Sequence, residues 1–177
     1  MPSLQVDALS ADVTVDELGQ LVSLLTECVH GGASMGFLAP LPRADAEAYW
    51  TNVRGDLAAD LQVIFVGLEG GAIVGSAQLA LETRANGRHR AEVQKVMVRP
   101  SHRRRGIAVA MMTELEKRAA ARGVRLLFLD TSEGYGGARA LYDVLGYVYV
   151  GGIPDYALDP DGTPAKNAIY YKMLRAI

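Results

Sequence analysis

VMVRPSHRRRGIAVAMM, Val96 to Met112, is the stretch whose reading decides the architecture. Val96 to Val98 continues a β-branched run, Pro100 stops it, and Gly106 starts a new pattern in which Ile107, Met111, Leu115 and Ala119 recur at helical spacing through Ala121. A strand, an arginine-rich loop and a glycine-started helix therefore follow one another directly. The first turn of a helix carries unpaired N–H groups and a partial positive charge, so this junction suits a phosphate or diphosphate. Gly106 and Ala108 keep the approach open, and Arg103, Arg104 and Arg105 add positive charge around it. No Gly-Lys-Ser or Gly-Lys-Thr follows, which excludes a P-loop. Taken alone, the three arginines read equally well as a solubilising surface cluster.

Downstream, Lys117, Arg118 and Arg122 sit near the C-terminal end of the helix as its dipole favours, and Gly123 closes it. Val124 to Asp130 reads as a strand, followed by a glycine-rich turn, a short helix through Leu145, and Tyr147 to Val150 after Gly146. Asp159-Pro160-Asp161-Gly162 is a turn, and Ile169 to Leu174 is a last strand. Upstream, Leu4 to Leu9 reads as a strand, and Thr14 to Glu17 forms a capping box for a helix bearing Leu18, Leu21, Val22 and Leu25, which Gly31-Gly32 ends. A second helix spans about Ala44 to Ala59, with Trp50, Val53 and Leu57 on a core-facing side. Val63 to Val66 and Ile73 to Leu81 flank the turn Glu69-Gly70-Gly71 as an antiparallel hairpin. In the next strand, alternation sets Val93, Lys95 and Met97 on one face and Gln94, Val96 and Val98 on the other.

A chain of 177 residues fits one domain over 1–177 and can bury a sizeable core. With 18 Lys plus Arg against 20 Asp plus Glu, its net charge of -2 offers no global attraction to nucleic acid or an anionic membrane, so no such partner is expected. The single cysteine, Cys28, has no intramolecular partner and reads as a buried apolar residue. No apolar run reaches the roughly 20 residues of a membrane-spanning helix, and the N-terminal sequence lacks a secretory pattern. A cytoplasmic protein is expected. No His, Cys and carboxylate cluster has metal-site spacing, so no metal is expected.

Arg103, Gly106 and Ala108 match the signature of Arg or Gln, two residues, Gly, one residue, then Gly or Ala, and by it the chain resembles the GNAT superfamily of N-acetyltransferases. The likeness continues through Ala140-Leu141-Tyr142 and Leu145-Gly146-Tyr147 in the same order and spacing. Val29 to Phe37 (VHGGASMGF), Arg90 to Val98 (RAEVQKVMV), Leu129-Asp130-Thr131 and Ala168-Ile169-Tyr170 are similar, more narrowly, to the tabtoxin-resistance branch of that family. The resemblance implies an α/β (α+β) GNAT fold. Its central mixed, mostly antiparallel sheet would have about seven strands, helices on both faces, and a splay between the fourth and fifth strands.

It also implies acetyl-CoA as co-substrate and a small-molecule amine as acceptor, with a toxin or antibiotic as one such amine, in a monomer or homodimer. Acylation of a protein or peptide amine, and a non-catalytic acyl-CoA sensor, are the alternatives. Backbone N–H groups from Arg104 through Gly106, Ile107, Ala108 and Val109 would hold the diphosphate, while Val96, Met97 and Val98 would pair with the pantetheine arm as an added strand. An ammonium has no lone pair, so a group must accept its proton. Glu92 and Asp130 are the two carboxylates the fold would bring to one cleft, and either can act directly or through water. Tyr142 matches the family's tyrosine, which protonates or hydrogen-bonds the departing sulfur, and amides near Met97 would stabilise the oxyanion. The loop with His30, Gly31, Gly32, Ser34 and Phe37 lies where the family builds its substrate pocket. His30 serves equally as a cap on helix carbonyls. The chain departs from the family at Tyr135, flanked by Gly134, Gly136 and Gly137, where many members carry a pantetheine-binding asparagine.

Overall fold

The computed structural model describes residues 3–133 and 137–174. β1 (Leu4–Ala8) leads to α1 (Val15–His30), α2 (Arg43–Ala58) and the run β2 (Gln62–Glu69), β3 (Ala72–Leu81) and β4 (Arg90–Val98). After a 3-10 turn at Pro100–His102 come α3 (Ile107–Ala121), β5 (Leu126–Ser132), α4 (Ala138–Val144), β6 (Val148–Gly151), β7 (Ala157–Leu158), β8 (Pro164–Ala165) and β9 (Asn167–Met173). Seven strands form one sheet in the order β1-β2-β3-β4-β5-β9-β6; β4 and β5 are parallel and every other neighbouring pair is antiparallel. The expected mixed sheet is present. β7 and β8, a two-stranded ribbon around the Asp159–Gly162 turn, were not anticipated, because two-residue strands carry no readable alternation.

The sheet divides the core in two. Ile107, Met111, Met112, Leu115 and Ala119 of α3 and Tyr142 of α4 pack with Val63, Phe65, Val93 and Leu127 on one face. Leu21, Leu25 and Cys28 of α1 and Trp50 and Val53 of α2 pack with Ile64, Val66 and Met97 on the other. Trp50 is 2% exposed and Cys28 is 1% exposed, so both are core residues as their patterns suggested. Thr14 fixes the start of α1 by the capping box, accepting from the Glu17 N–H at 3.2 Å while its own N–H donates to Glu17 Oε2 at 2.8 Å.

One expectation fails in an informative way. Val93 lies in the α3 core and Met97 in the α1/α2 core, so they face opposite sides of the sheet. The register explains it: Gln78 pairs with Gln94 and Ser76 with Met97, so Lys95 and Val96 together oppose Ala77. That bulge inserts one residue, and with a side-chain period of two a single insertion exchanges the faces. Lys95 takes φ 48, in the left-handed region.

The two cores differ in how closely helix meets sheet. A Cβ at Gly75 would lie 2.8 Å from Met111 Cε and 3.0 Å from the Met97 carbonyl oxygen, and one at Gly67 would lie 2.9 Å from Ile107 Cγ2. Hydrogen at these positions lets the first turns of α3 rest on β2 and β3. Gly75→Ala is expected to lift that end of α3 at a cost of roughly 1–3 kcal/mol, the usual range for overpacking. The check is the denaturant midpoint of the variant against the parent protein, and an unshifted midpoint would show that the contact is not tight.

Candidate active site

Beyond Phe128 the parallel pair comes apart. β4 and β5 are in register only over Arg90 to Glu92 against Leu126 to Phe128, so among the described residues the later part of β4 has β3 on one side and no strand on the other. Unpaired strand edges and diverging faces make a cleft, and two cavities fill it. The first, about 300 Å³, is walled by Val96, Met97, Val98, Ala138, Leu141 and Tyr142 and runs to the start of α3 at Gly106, Ile107, Ala108 and Val109. The second, about 400 Å³, contains Glu92, Lys95, Asp130, Tyr49, Asn52 and Asp56. Ser34, Met35, Val96, Thr131, Ser132 and Tyr142 line both, so the cavities meet there.

At the start of α3, Gly106 has φ 79 and ψ 0, a left-handed conformation that reverses the chain into the helix at little steric cost only for glycine. The first intrahelical bond runs from the Ala110 N–H to the Gly106 carbonyl at 3.0 Å, which leaves the N–H groups of Ile107, Ala108 and Val109 without helical partners. The arginines divide. Arg103 and Arg104 line the first cavity, and Arg103 Nε donates to the Val98 carbonyl at 3.3 Å. Arg105 turns away and pairs with Glu69 at 2.9 Å, outside both cavities. Charge alone could not separate the three. The N–H cluster, the adjacent Arg103 and Arg104, the apolar slot and the free edge of β4 together fit a long ligand with a diphosphate at one end and a narrow apolar arm.

Tyr142 stands where the cavities meet. It is 6% exposed and packed between Tyr147 and Tyr170, with ring centroids 5.5 Å and 5.4 Å away. Burial first, and the neighbouring Tyr170 and Asp130 after it, push its hydroxyl well above the ordinary tyrosine range. The phenol therefore holds its proton at any physiological pH and has it available to donate. In the second cavity Glu92 accepts from Gln94 Nε2 at 2.9 Å, and Asp130 accepts from Asn167 Nδ2 at 3.4 Å. Asn167, itself 3% exposed, is fixed in turn by the Ile153 N–H donating to its Oδ1 at 2.8 Å. Neither carboxylate has a salt bridge among the described residues.

The residues of the loop after α1, expected to line the acceptor pocket, separate in the same way. Ser34 lines both cavities, whereas Phe37 lines neither and packs edge-on against Tyr49 at 5.6 Å. His30 accepts from the Leu41 N–H through Nε2 at 3.0 Å, a loop-bracing bond rather than a cap on helix carbonyls. His30 and Gly32 line a separate open depression, and Gly31 is the C-cap of α1. Tyr135, Gly134 and Gly136 lie outside the described residues; Gly137 precedes α4 and lines the first cavity. Among the described residues no group of three or more His, Cys, Asp or Glu side chains is arranged to hold a metal ion. No helix among them is long and apolar enough to cross a membrane.

Lys95, Tyr49 and Asn167 also stand in or beside the second cavity, and sequence reasoning passed over them. Lys95 left one signal, a charge in the middle of an apolar strand. Tyr49 sits beside Trp50 on α2 and reads as more of the same core face, and Asn167 carries no signal at all.

The acetyltransferase (GNAT) family profile matches residues 33–147, well over half of the chain. An uncharacterized N-acetyltransferase in the hisH-hisA intergenic region of Azospirillum brasilense is 34% identical over 132 residues, covering 69% of this chain and 77% of that relative. Among solved structures, an N-acetyltransferase from Staphylococcus aureus Mu50 superposes with a TM-score of 0.81 at 17% identity, over 98% of this chain and 99% of the other. The structure of yncA from Salmonella typhimurium, solved with its cofactor acetyl-CoA, gives 0.78 at 15% identity, over 98% and 95%. At these identities the two solved structures speak for the fold.

The buried phenol is measurable without any ligand. A tyrosine in the unfolded chain ionises near pH 10, while folded Tyr142 keeps its proton to higher pH, so the folded state binds more protons there. The associated stability is full below about pH 10 and falls as pH rises further, by about 1.4 kcal/mol per pH unit for each such group. Denaturant unfolding between about pH 10 and 11.5 should show a slope about one proton shallower in Tyr142→Phe than in the parent. Equal slopes would mean that the hydroxyl is solvated.

Proposed function

The chain belongs to the GNAT acetyltransferase family and is an acetyl-CoA-dependent N-acetyltransferase, and on that footing we propose that it transfers the acetyl group to the amine of a small molecule. A toxin or antibiotic amine of the kind modified by the tabtoxin-resistance branch is the class of acceptor proposed. The observation that carries the reading is the meeting of two cavities at Tyr142, one with the exposed N–H groups of α3 and the other with two carboxylates. About 400 Å³ is within the range of pockets that enclose small molecules.

In this reading the N–H groups of Gly106, Ile107, Ala108 and Val109, with Arg103 and Arg104, hold the coenzyme diphosphate against the positive end of α3. The free edge of β4 at Val96, Met97 and Val98 takes the pantetheine arm as an added strand. The bound coenzyme supplies an acetyl group activated as a thioester. Glu92 or Asp130 accepts a proton from the acceptor ammonium on a carboxylate oxygen, directly or through one water, which exposes the lone pair. Backbone N–H groups freed from the ladder at the β4 bulge stand beside the point where negative charge develops on oxygen. The Tyr142 hydroxyl, kept protonated by burial, donates toward the departing sulfur.

The test is thiol release from acetyl-CoA with a panel of small amines. Tyr142→Phe is expected to slow turnover by roughly a hundredfold, the low end for general-acid catalysis. Glu92→Gln and Asp130→Asn are expected to lower kcat/KM, and the variant that removes the base should lose most at mildly acidic pH, where the free amine is scarce. Unchanged pH–rate profiles in both would remove the two carboxylates from the proton transfer. Calorimetric binding of the coenzyme without turnover on any small amine would overturn the small-molecule acceptor.

A further inference from the structure

Lys95 sits badly for a structural lysine. It occupies the bulge of β4 with φ 48, a conformation that side chains rarely adopt and that persists only where the surroundings impose it. Its ammonium lies 5.6 Å from the centre of the Tyr49 ring, and a Cβ at Gly36 would stand 3.7 Å from Nζ, so the head group is clasped between the helix α2 aromatic and the loop after α1. Tyr49 cannot swing aside, because its hydroxyl donates to Gln78 Oε1 at 2.8 Å and Gln78 is completely buried.

Among the described residues, the Lys95 ammonium has no salt bridge and no hydrogen bond. Burial lowers its pKa, while Glu92 and Asp130, which line the same cavity, act in the opposite direction from beyond contact distance. A lysine needed only to neutralise those carboxylates would close on one of them, since an unpaired cation out of water is costly. Lys95 therefore shares the cavity with Glu92 and Asp130 without closing on either, while the other lysine that lines it, Lys166, is paired with Glu133 at 3.2 Å. That pattern complements a zwitterion, whose amine meets the carboxylates and whose own carboxylate meets the lysine.

Building on the acetyl-transfer reading above, we infer that Lys95 is the anion-recognition residue of the acceptor cavity, and that the acceptor is an amino acid-like molecule carrying a carboxylate near its reactive amine. A charge-assisted bond formed in a desolvated cavity discriminates strongly against an analogue that lacks the charge.

The experiment compares matched acceptors, an amino acid and its carboxamide, by thiol release at saturating acetyl-CoA. The parent enzyme should prefer the acid in kcat/KM by roughly tenfold or more, the difference expected for a charge-assisted hydrogen bond. In Lys95→Met the preference should shrink by at least that factor, because the acid loses its partner and the amide does not. Taking the ratio between enzymes cancels the different basicities of the two amines. Lys95→Arg should keep most of the preference, and unchanged coenzyme binding by calorimetry shows that Lys95→Met is folded. An equal loss on acid and amide would make Lys95 part of the chemistry and overturn the inference, as would a parent enzyme indifferent to the carboxylate. Turnover of amines without preference removes this inference alone, whereas no turnover on any amine removes the acetyl-transfer reading together with it.

Discussion

From Val93 onward β4 has, among the described residues, a bonded neighbour strand on one side only, and the rest of the site is arranged around that open edge. Three residues of parallel pairing, Arg90 to Glu92 with Leu126 to Phe128, hold the two halves of the sheet together. The bulge at Lys95 and Val96 then adds local twist and bend to β4. An unpaired strand edge inside a protein is a liability unless something covers it. Here it forms a wall of the first cavity, flanked by α3 and α4, so the same backbone groups that would otherwise be orphaned are available to an extended ligand.

The close seating of α3 follows from the opposite choice, removal of side chains. Gly67 and Gly75 let the helix lie against β2 and β3, with Ile107 and Met111 in the gap that two methyl groups would otherwise fill. Because Ile107 is also the first residue of α3, this packing fixes the position of the exposed N–H groups relative to β4. Glu69, at the end of β2, ties Arg105 back toward the sheet and so helps set the path of the loop. The end of the first cavity at the start of α3 is thus anchored by the α3 core, while the cavity holding Glu92 and Lys95 is bounded by α2 and the loop before it.

What the sequence made legible were the features repeated by a period or fixed by a special residue. The helix beginning after Gly106, the capping box at Thr14, the hairpin turn at Gly70-Gly71 and the core role of Trp50 all belong to that kind. The bulge was not legible, since RAEVQKVMV reads smoothly as alternation and only the register with β3 reveals the inserted residue. For the same reason simple alternation puts Met97 on the wrong face. Arg105 could not be told from Arg103 and Arg104 because its partner, Glu69, lies 36 positions away. Asn167, which bonds Asp130, lies 37 positions along the chain from it. Pairings of that span leave no local pattern.

Burial favours the neutral form of both Tyr142 and Lys95, and so moves their pKa values in opposite directions. It keeps the phenol neutral and holds a proton on it, while it pushes the ammonium toward losing one. The two carboxylates offset the second effect but not the first, since the nearby Asp130 raises the Tyr142 pKa further. A carboxylate that arrived beside Lys95 would strengthen its positive charge and at the same time relieve the cost of an unpaired cation. On the inference that Lys95 reads an acceptor carboxylate, that anion is received where the ammonium is already held off Glu92 and Asp130.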